Sequence, residues 1–458
     1  MVDEKPALPP GNLLFPLLFQ SFRLAIQPSK LAIAFAAVAI IGLTGWTMDL
    51  HPTVITADSF TVLLPRETST EPQLHRIQNA TELDLYAEHG TPSLRIFVES
   101  RRALGNRVGV FRTLWRFGAE EFHRALYAVF TWDPPRVIRS VARGLDALLW
   151  AFRWHTVYSL AFFTVAFTVL MGAGGALCRM TALQFARAEG LGPLKALRFS
   201  WRRFTSLMGG SVGPALLVLA FGAPIILIGL IGNLPGVGEL LTGLLLPLAL
   251  VAACAVVITL LGAAAGLGLM SPAVAYEDAD AFDAINHAFS YVYSKPWHMG
   301  FYTLVAIVYG ALCYLFVRFF AYLLLATTYT FLRIGFLRQD EKLEAIWPEP
   351  TFASFLGPAG SLPEGWSLWL AALLIRLSVL AVIGLVVAFV VSFHFSAHTI
   401  IYALMRHRVH GTPLDEVYAS PNGASAALPS FEADSGAIEL DPAVARDGGS
   451  DKGPQTSG

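Results

Sequence analysis

The chain has 458 residues, 55% hydrophobic and only 14% charged, with a net charge of −1 and a mean hydropathy of +0.57. Soluble domains carry about a quarter charged residues, so this chain is short of the charge a water-facing surface needs. Its near-zero net charge supplies no global field to draw it to nucleic acid.

Residues 1–30 form an N-terminal segment. "MVDEKP" is not a basic n-region and no A-x-A site follows the first apolar run, so a cleaved signal peptide is not expected. Hydrocarbon about 30 Å thick needs roughly 20 apolar residues per helix. The first run that qualifies is Leu31–Met48, "LAIAFAAVAIIGLTGWTM".

Residues 49–153 form the one large extramembrane segment. "TVITADSFTVLL" and "SLRIFVES" read as strands. Val110, Phe111, Leu114, Trp115, Phe122, Leu126 and Val129 then recur at helical steps. In "PPRVIRSVARGLDALLWAF", Val137, Val141, Leu145, Leu148 and Phe152 share one face, flanked by Arg136, Arg139 and Arg143. Two readings fit that pattern equally: a helix lying at the membrane surface, or a helix covering a small soluble domain. Asn79-Ala80-Thr81 matches a glycosylation sequon, which matters only in a eukaryotic secretory route.

Five more spans follow, at about Thr156–Cys178, Val212–Leu234, Leu240–Met270, Met299–Leu325 and Leu368–Tyr402. The third and fourth are joined by the tight turn "GNLPGVGE". The chain thus divides into the first span (31–48), the loop 49–153, the segment 154–234 with spans two and three, and the segment 240–333 with spans four and five. An extramembrane loop (334–366), the sixth span (367–405) and a tail (406–458) complete it. Beyond Tyr418 the tail is too poor in apolar residues to order itself. Cys178, Cys254 and Cys313 each stand alone in an apolar run. They suit small core residues better than a disulfide framework or a metal site.

"EGLGPLKALRFSWRRF" and "EDADAFDAINHAFSYV" align at an offset of 88 residues. Leu194, Leu197, Trp201 and Phe204 fall on Phe282, Ile285, Phe289 and Val292, each set one stripe down a helix. The unit of span, short surface helix and span therefore occurs twice in parallel orientation. The fold expected is an all-α membrane protein of about six transmembrane helices, with this internal repeat. An even number of spans puts both termini on one side. Arg179, Arg187, Lys195, Arg198, Arg202 and Arg203 crowd one short loop, with Arg23, Lys30, Arg406 and Arg408 on the same face, which the positive-inside bias makes cytoplasmic. Arg143 and Arg153 run against that orientation, although long loops translocate largely regardless of charge.

The pattern E-G-x-x-P-L-x-A-L-x-x-S-W, residues 189–201, resembles the membrane domain attached to some bacterial glycerophosphodiester phosphodiesterases and its free-standing multi-pass relatives. The ending "SAHTIIYALMRHRVHGTPLDEVY" resembles a family of multi-pass bacterial proteins without assigned function. The resemblance covers roughly residues 155–418 and implies a membrane domain without catalysis. The phosphodiesterase barrel needs about 250 residues, and no stretch here could supply it; His75–Arg76 is a lone dipeptide.

The common hydrolytic and phosphate-loop signatures are absent, and no enzyme, cofactor or metal is expected. No Asp or Glu lies in the predicted spans, which weighs against a proton relay. Arg318 and Arg376 are the charges inside apolar runs. They read either as an anion or headgroup site or, preferably, as arginines snorkelling to the interface. His394 and His398, at i and i+4, have a metal-capable spacing but read as packing or interface histidines. Behind the shared stripe, Lys195, Arg198 and Arg202 become Asp283, Asn286 and Ser290 in the second copy. The first surface helix, with Arg203, is therefore the candidate site for anionic lipid headgroups.

The expected function is that of a non-enzymatic module of the bacterial inner membrane, contacting lipids and a membrane-protein partner. The alternative is a carrier or flippase of a lipid or amphiphile. A carrier would need polar residues facing each other across spans two to five, and few are present: Thr164, Thr168, Thr259 and Tyr309.

Overall fold

A backbone amide in hydrocarbon has no water to bond, so an apolar run that crosses a membrane must close its own hydrogen bonds as a helix. The computed structural model describes residues 14–66, 69–101, 106–336, 340–357 and 365–418. A 3₁₀ turn (Phe15–Phe19) and α1 (Gln20–Ala25) lead into α2 (Pro28–Met48). Next come β1 (Val54–Arg66), β2 (Ser69–Thr81), α3 (Glu82–Arg101), β3 (Asn106–Val108), α4 (Val110–Phe130) and α5 (Pro134–Trp154). The rest is helical: α6 (Thr156–Arg187), α7 (Pro193–Arg202), α8 (Phe204–Ile231), α9 (Gly238–Glu277), α10 (Ala281–Ser294), α11 (Pro296–Gly335), α12 (Asp340–Ile346) and α13 (Trp366–His410). Six of these helices, α2, α6, α8, α9, α11 and α13, are long and apolar enough to cross a membrane. Apart from one small sheet, the fold is that of an all-α multi-pass membrane protein. Residues 1–417 make one unit and 418–458 a second, of which only Tyr418 is described.

Hydrogen bonds between helix ends sort the bundle into two ends. At one, Arg187 closing α6 donates to Val417 O after α13 (2.7 Å), and Lys295 before α11 donates to Arg408 O (2.8 Å). Arg203 before α8 pairs there with Asp278 after α9. At the other, Asp49 after α2 accepts from Phe111 N (2.9 Å), Arg112 N (2.8 Å) and the Tyr158 hydroxyl of α6 (2.9 Å). Asp49 thereby caps α4, whose own N-cap is Gly109 and has no side chain to do so. A Cβ on Gly109 would lie 2.0 Å from Asp49 Cγ, so the glycine makes the room.

The expected strand "SLRIFVES" is helix instead. Leu94 and Phe97 are buried, three residues apart, and Val98 packs beside them. Alternation of Leu94, Ile96 and Val98 had imitated a strand, but Ile96 faces out. Gly90 takes the left-handed φ of 72° that kinks α3 just before Pro92, from which the helix restarts. β1 matches the other expected strand, and it pairs antiparallel with β2 (Leu63↔Leu74) and with β3 (Val54↔Val108), in the order β2-β1-β3. The large loop therefore carries a sheet beside its helices, packed through Val54, Leu83, Leu94, Phe117 and Trp150.

The N-terminal segment is not a simple lead-in. Leu17, Leu18 and Leu24 join the core around α9, α10 and α13, and Ser392 donates to Ala25 O (2.8 Å). Lys30, expected as a basic flank of the first span, is fully buried, and among the described residues its Nζ has no hydrogen-bond partner. The cysteines are all free; Cys178 and Cys313 are buried as expected, whereas Cys254 is exposed on α9.

Candidate functional site

The short helix α7 carries three stripes staggered by one residue, each with steps of three and then four. At about 100° per residue, they divide the helix into three sides. Ala196, Phe199 and Arg203 make one, and it docks on the bundle. Ala196 is buried, Phe199 lies under the Arg179 guanidinium (4.8 Å), and neighbouring Ser200 donates to Gly172 O (2.6 Å). Leu194, Leu197 and Trp201 make the second, which is open: Leu194 is 81% and Trp201 75% exposed. Lys195, Arg198 and Arg202 make the third, exposed along its length. Among the described residues none of these three has an ion-pair partner.

Arg203, expected to bind headgroups with them, belongs to the docked side. Its Nε donates to Asp278 Oδ1 (2.6 Å) and its Nη2 pairs with Oδ2. That bond joins the α7–α8 corner to the α9–α10 corner, so Arg203 is removed from the lipid-facing set. The two corners are built alike. Ala188 after α6 (φ 56°) and Asp278 after α9 (φ 60°) are both left-handed caps, 90 positions apart. The short helices nevertheless sit differently. In α10 the stripe turns inward: Ile285 and Val292 are buried with Ala284, Ala288 and Tyr291, and only Phe282 remains well exposed.

Beside α10 lies a charged layer that the sequence reading did not nominate. Glu277 receives Arg406 Nε (2.6 Å) and His287 Nε2 (3.3 Å), and Arg406 also covers the Tyr276 ring (5.6 Å) and donates to Glu416 O (2.7 Å). Burial, seconded by the Glu277 carboxylate, pushes the Tyr291 phenol up to about 12, so it stays neutral. The layer ties α9, α10 and α13 to residues 411–417. A carboxylate ending a long apolar run, as Glu277 does in "AVAYED", was its one signal in the sequence.

Arg318 is not a snorkelling side chain. Its guanidinium bonds Phe352 O (2.9 Å), Ala353 O (3.2 Å) and the Tyr314 hydroxyl (2.9 Å), meets His123 Nε2, and lies over the rings of Phe352 and Phe355. His123 bonds Ala119 O through Nδ1 (2.6 Å), which leaves Nε2 to accept. Burial, then the neighbouring guanidinium, holds the His123 pKa below its ordinary value. Arg376 is exposed on α13, as snorkelling requires. The His394 and His398 rings lie tilted to each other with centroids 4.2 Å apart, and His398 Nδ1 donates to His394 O (2.8 Å). The His398 ring packs on Gly268 of α9. Among the described residues no group of three or more His, Cys, Asp or Glu could hold a metal.

Fold and site together define a multi-pass membrane protein with a basic surface helix at one end of its bundle. No family model, no curated protein and no solved structure matches the chain.

Proposed function

We propose that the protein is a non-enzymatic module of the bacterial inner membrane that holds anionic lipid headgroups at its cytoplasmic face through Lys195, Arg198 and Arg202. The three-sided α7 carries this reading. A helix docked by one side, with an apolar second side and a basic third, fits the boundary between acyl chains and headgroups. Near anionic lipid each basic residue contributes about 1 kcal/mol. The cytoplasmic assignment rests on the arginines and lysines collected at that end of the bundle. The paired corners at Ala188 and Asp278, with like helices around them, support an internal duplication of the unit. The resemblance to the phosphodiesterase-linked membrane domain supports a membrane role without catalysis, and a membrane-protein partner remains part of the proposal.

A carrier is the weaker reading. Of the hydroxyls that would line its path, Thr164 bonds Leu160 O (2.6 Å) and Thr259 bonds Ala255 O (2.9 Å) within their own helices, and Tyr309 bonds Phe19 O (3.0 Å) in the N-terminal segment, so each of the three already has an acceptor. The test is to replace Lys195, Arg198 and Arg202 by Glu, purify in mild detergent and quantify bound phospholipid by mass spectrometry. Anionic lipid should fall relative to zwitterionic lipid. An unchanged lipid profile in a folded variant would remove the proposal.

A further inference from the structure

The helix α5 starts at a sharp cap: Asp133 accepts from Arg136 N (3.2 Å), and Pro134 and Pro135 occupy the first turn, where no intrahelical donor is needed. The side it turns to the protein carries Ser140, Ala147, Trp150 and Ala151, all buried, and Arg143 pairs with Glu121 of α4 (3.3 Å). Its large aliphatic residues lie on the opposite side. Ile138 is 69%, Val141 59%, Leu145 57% and Leu149 59% exposed, and Phe152 ends the row. A helix that covers a soluble domain turns its apolar stripe toward what it covers. This one turns it away.

Two observations say what meets the stripe. The first is continuity with a span. His155 alone separates α5 from α6. Phe152 stacks on Phe163 of α6 at 5.3 Å, and the exposed Val157 and Leu160 carry the apolar surface onward along α6. The second is charge. Arg139 and Arg153 are exposed on one flank of the stripe, where headgroup phosphates would lie, whereas Arg136 pairs with Asp133 at the cap (3.0 Å). The hairpin that α5 forms with α4 is also held across the bundle rather than hanging from it. Phe111 of α4 presses on Gly45 of α2, and Phe122 of α4 meets Tyr314 of α11 edge-on at 5.1 Å.

We propose that α5 lies in the plane of the membrane, its Ile138–Phe152 side sunk into the acyl boundary of the leaflet opposite to α7. The protein would then grip both leaflets with surface helices, α7 at the end where α6 finishes and α5 at the end where α6 begins. This rests on the spanning reading of the six long helices and not on lipid binding by α7.

The purified full chain, reconstituted in vesicles of phosphatidylglycerol and phosphatidylethanolamine, is labelled with a lipophilic diazirine and mapped by mass spectrometry. Val157 and Leu160 report the span. Ile138, Val141, Leu145 and Leu149 should label to a similar extent, and several-fold more than Arg139 and Asp146. Labelled spans with an unlabelled α5 stripe would overturn the proposal, because another part of the chain or a second copy would then cover it. Loss of label from the spans as well would overturn the spanning reading and this proposal with it. Loss at α5 alone leaves the α7 reading standing, so the two failures are distinguishable.

Discussion

Arg318 lies within "YLFVRFFAYLL", and in the folded chain its guanidinium bonds two backbone carbonyls, a phenol and an imidazole at once. Lysine carries the charge but not the planar fork that reaches several acceptors. Arg318→Lys is therefore expected to destabilise the protein by about 1–3 kcal/mol, read as a lower thermal unfolding midpoint in detergent. An unchanged midpoint would mean that the charge alone suffices. His123 adds a pH dependence. Its folded pKa lies below 6.5 because burial and then Arg318 disfavour the imidazolium. Between that lowered value and 6.5 the unfolded chain binds the proton and the folded chain does not, so stability rises with pH across the window. It should be full above about pH 6.5 and be lost as the pH falls through the folded value. A scan of the unfolding midpoint from about pH 7.5 to about pH 5 should show the fall, and His123→Gln should flatten it. A slope identical in the two proteins would assign the effect to another group.

At the scale of elements, the two short surface helices share one spacing and differ in burial. The stripe of α10 meets α8, where Gly209, Gly210 and Gly213 leave room for Ala281, Ala284 and Ile285. Among the described residues no helix covers the stripe of α7, so Leu194, Leu197 and Trp201 stay exposed. The hairpin that brings α8 beside α9 depends on Gly238. A Cβ there would stand 2.5 Å from Ile231 O and 2.8 Å from Gly232 O, both backbone atoms that cannot swing aside. Gly238→Ala should cost about 1–3 kcal/mol as an overpacking change, visible as earlier thermal unfolding or faster proteolysis in the turn. A variant as stable as the parent would show that the turn opens freely.

For the whole molecule, the bonds between helix ends put Arg203, Asp278 and Arg408 at one end of the bundle and Asp49, Phe111 and Tyr158 at the other. With α7 on the cytoplasmic side, reporter fusions after Arg203 and after Arg408 should both report cytoplasmic, and a fusion near Glu88 the far side. A cytoplasmic signal at Glu88 with a far-side signal at Arg203 would invert the protein and move α7 to the outer leaflet.

The sequence by itself determined the spans, because crossing hydrocarbon demands an apolar run of a certain length, and length and apolarity are properties of a local stretch. It determined the stripes of α5, α7 and α10 for the same reason, since helical spacing is local too. It did not determine which way those stripes face. Alternation in "SLRIFVES" was local as well, yet burial of Leu94 and Phe97 against the sheet and α5 selected the helix. Nor could spacing tell that Arg203, one residue past Arg202, would pair with Asp278, 75 positions away, or that Arg318 would find acceptors on α4 and on the loop after α12. Partners distant in the chain exist only once the helices have packed. The tertiary structure decided those pairings because packing alone brings distant donors and acceptors within reach, and burying a charge or a polar group without a partner is costly.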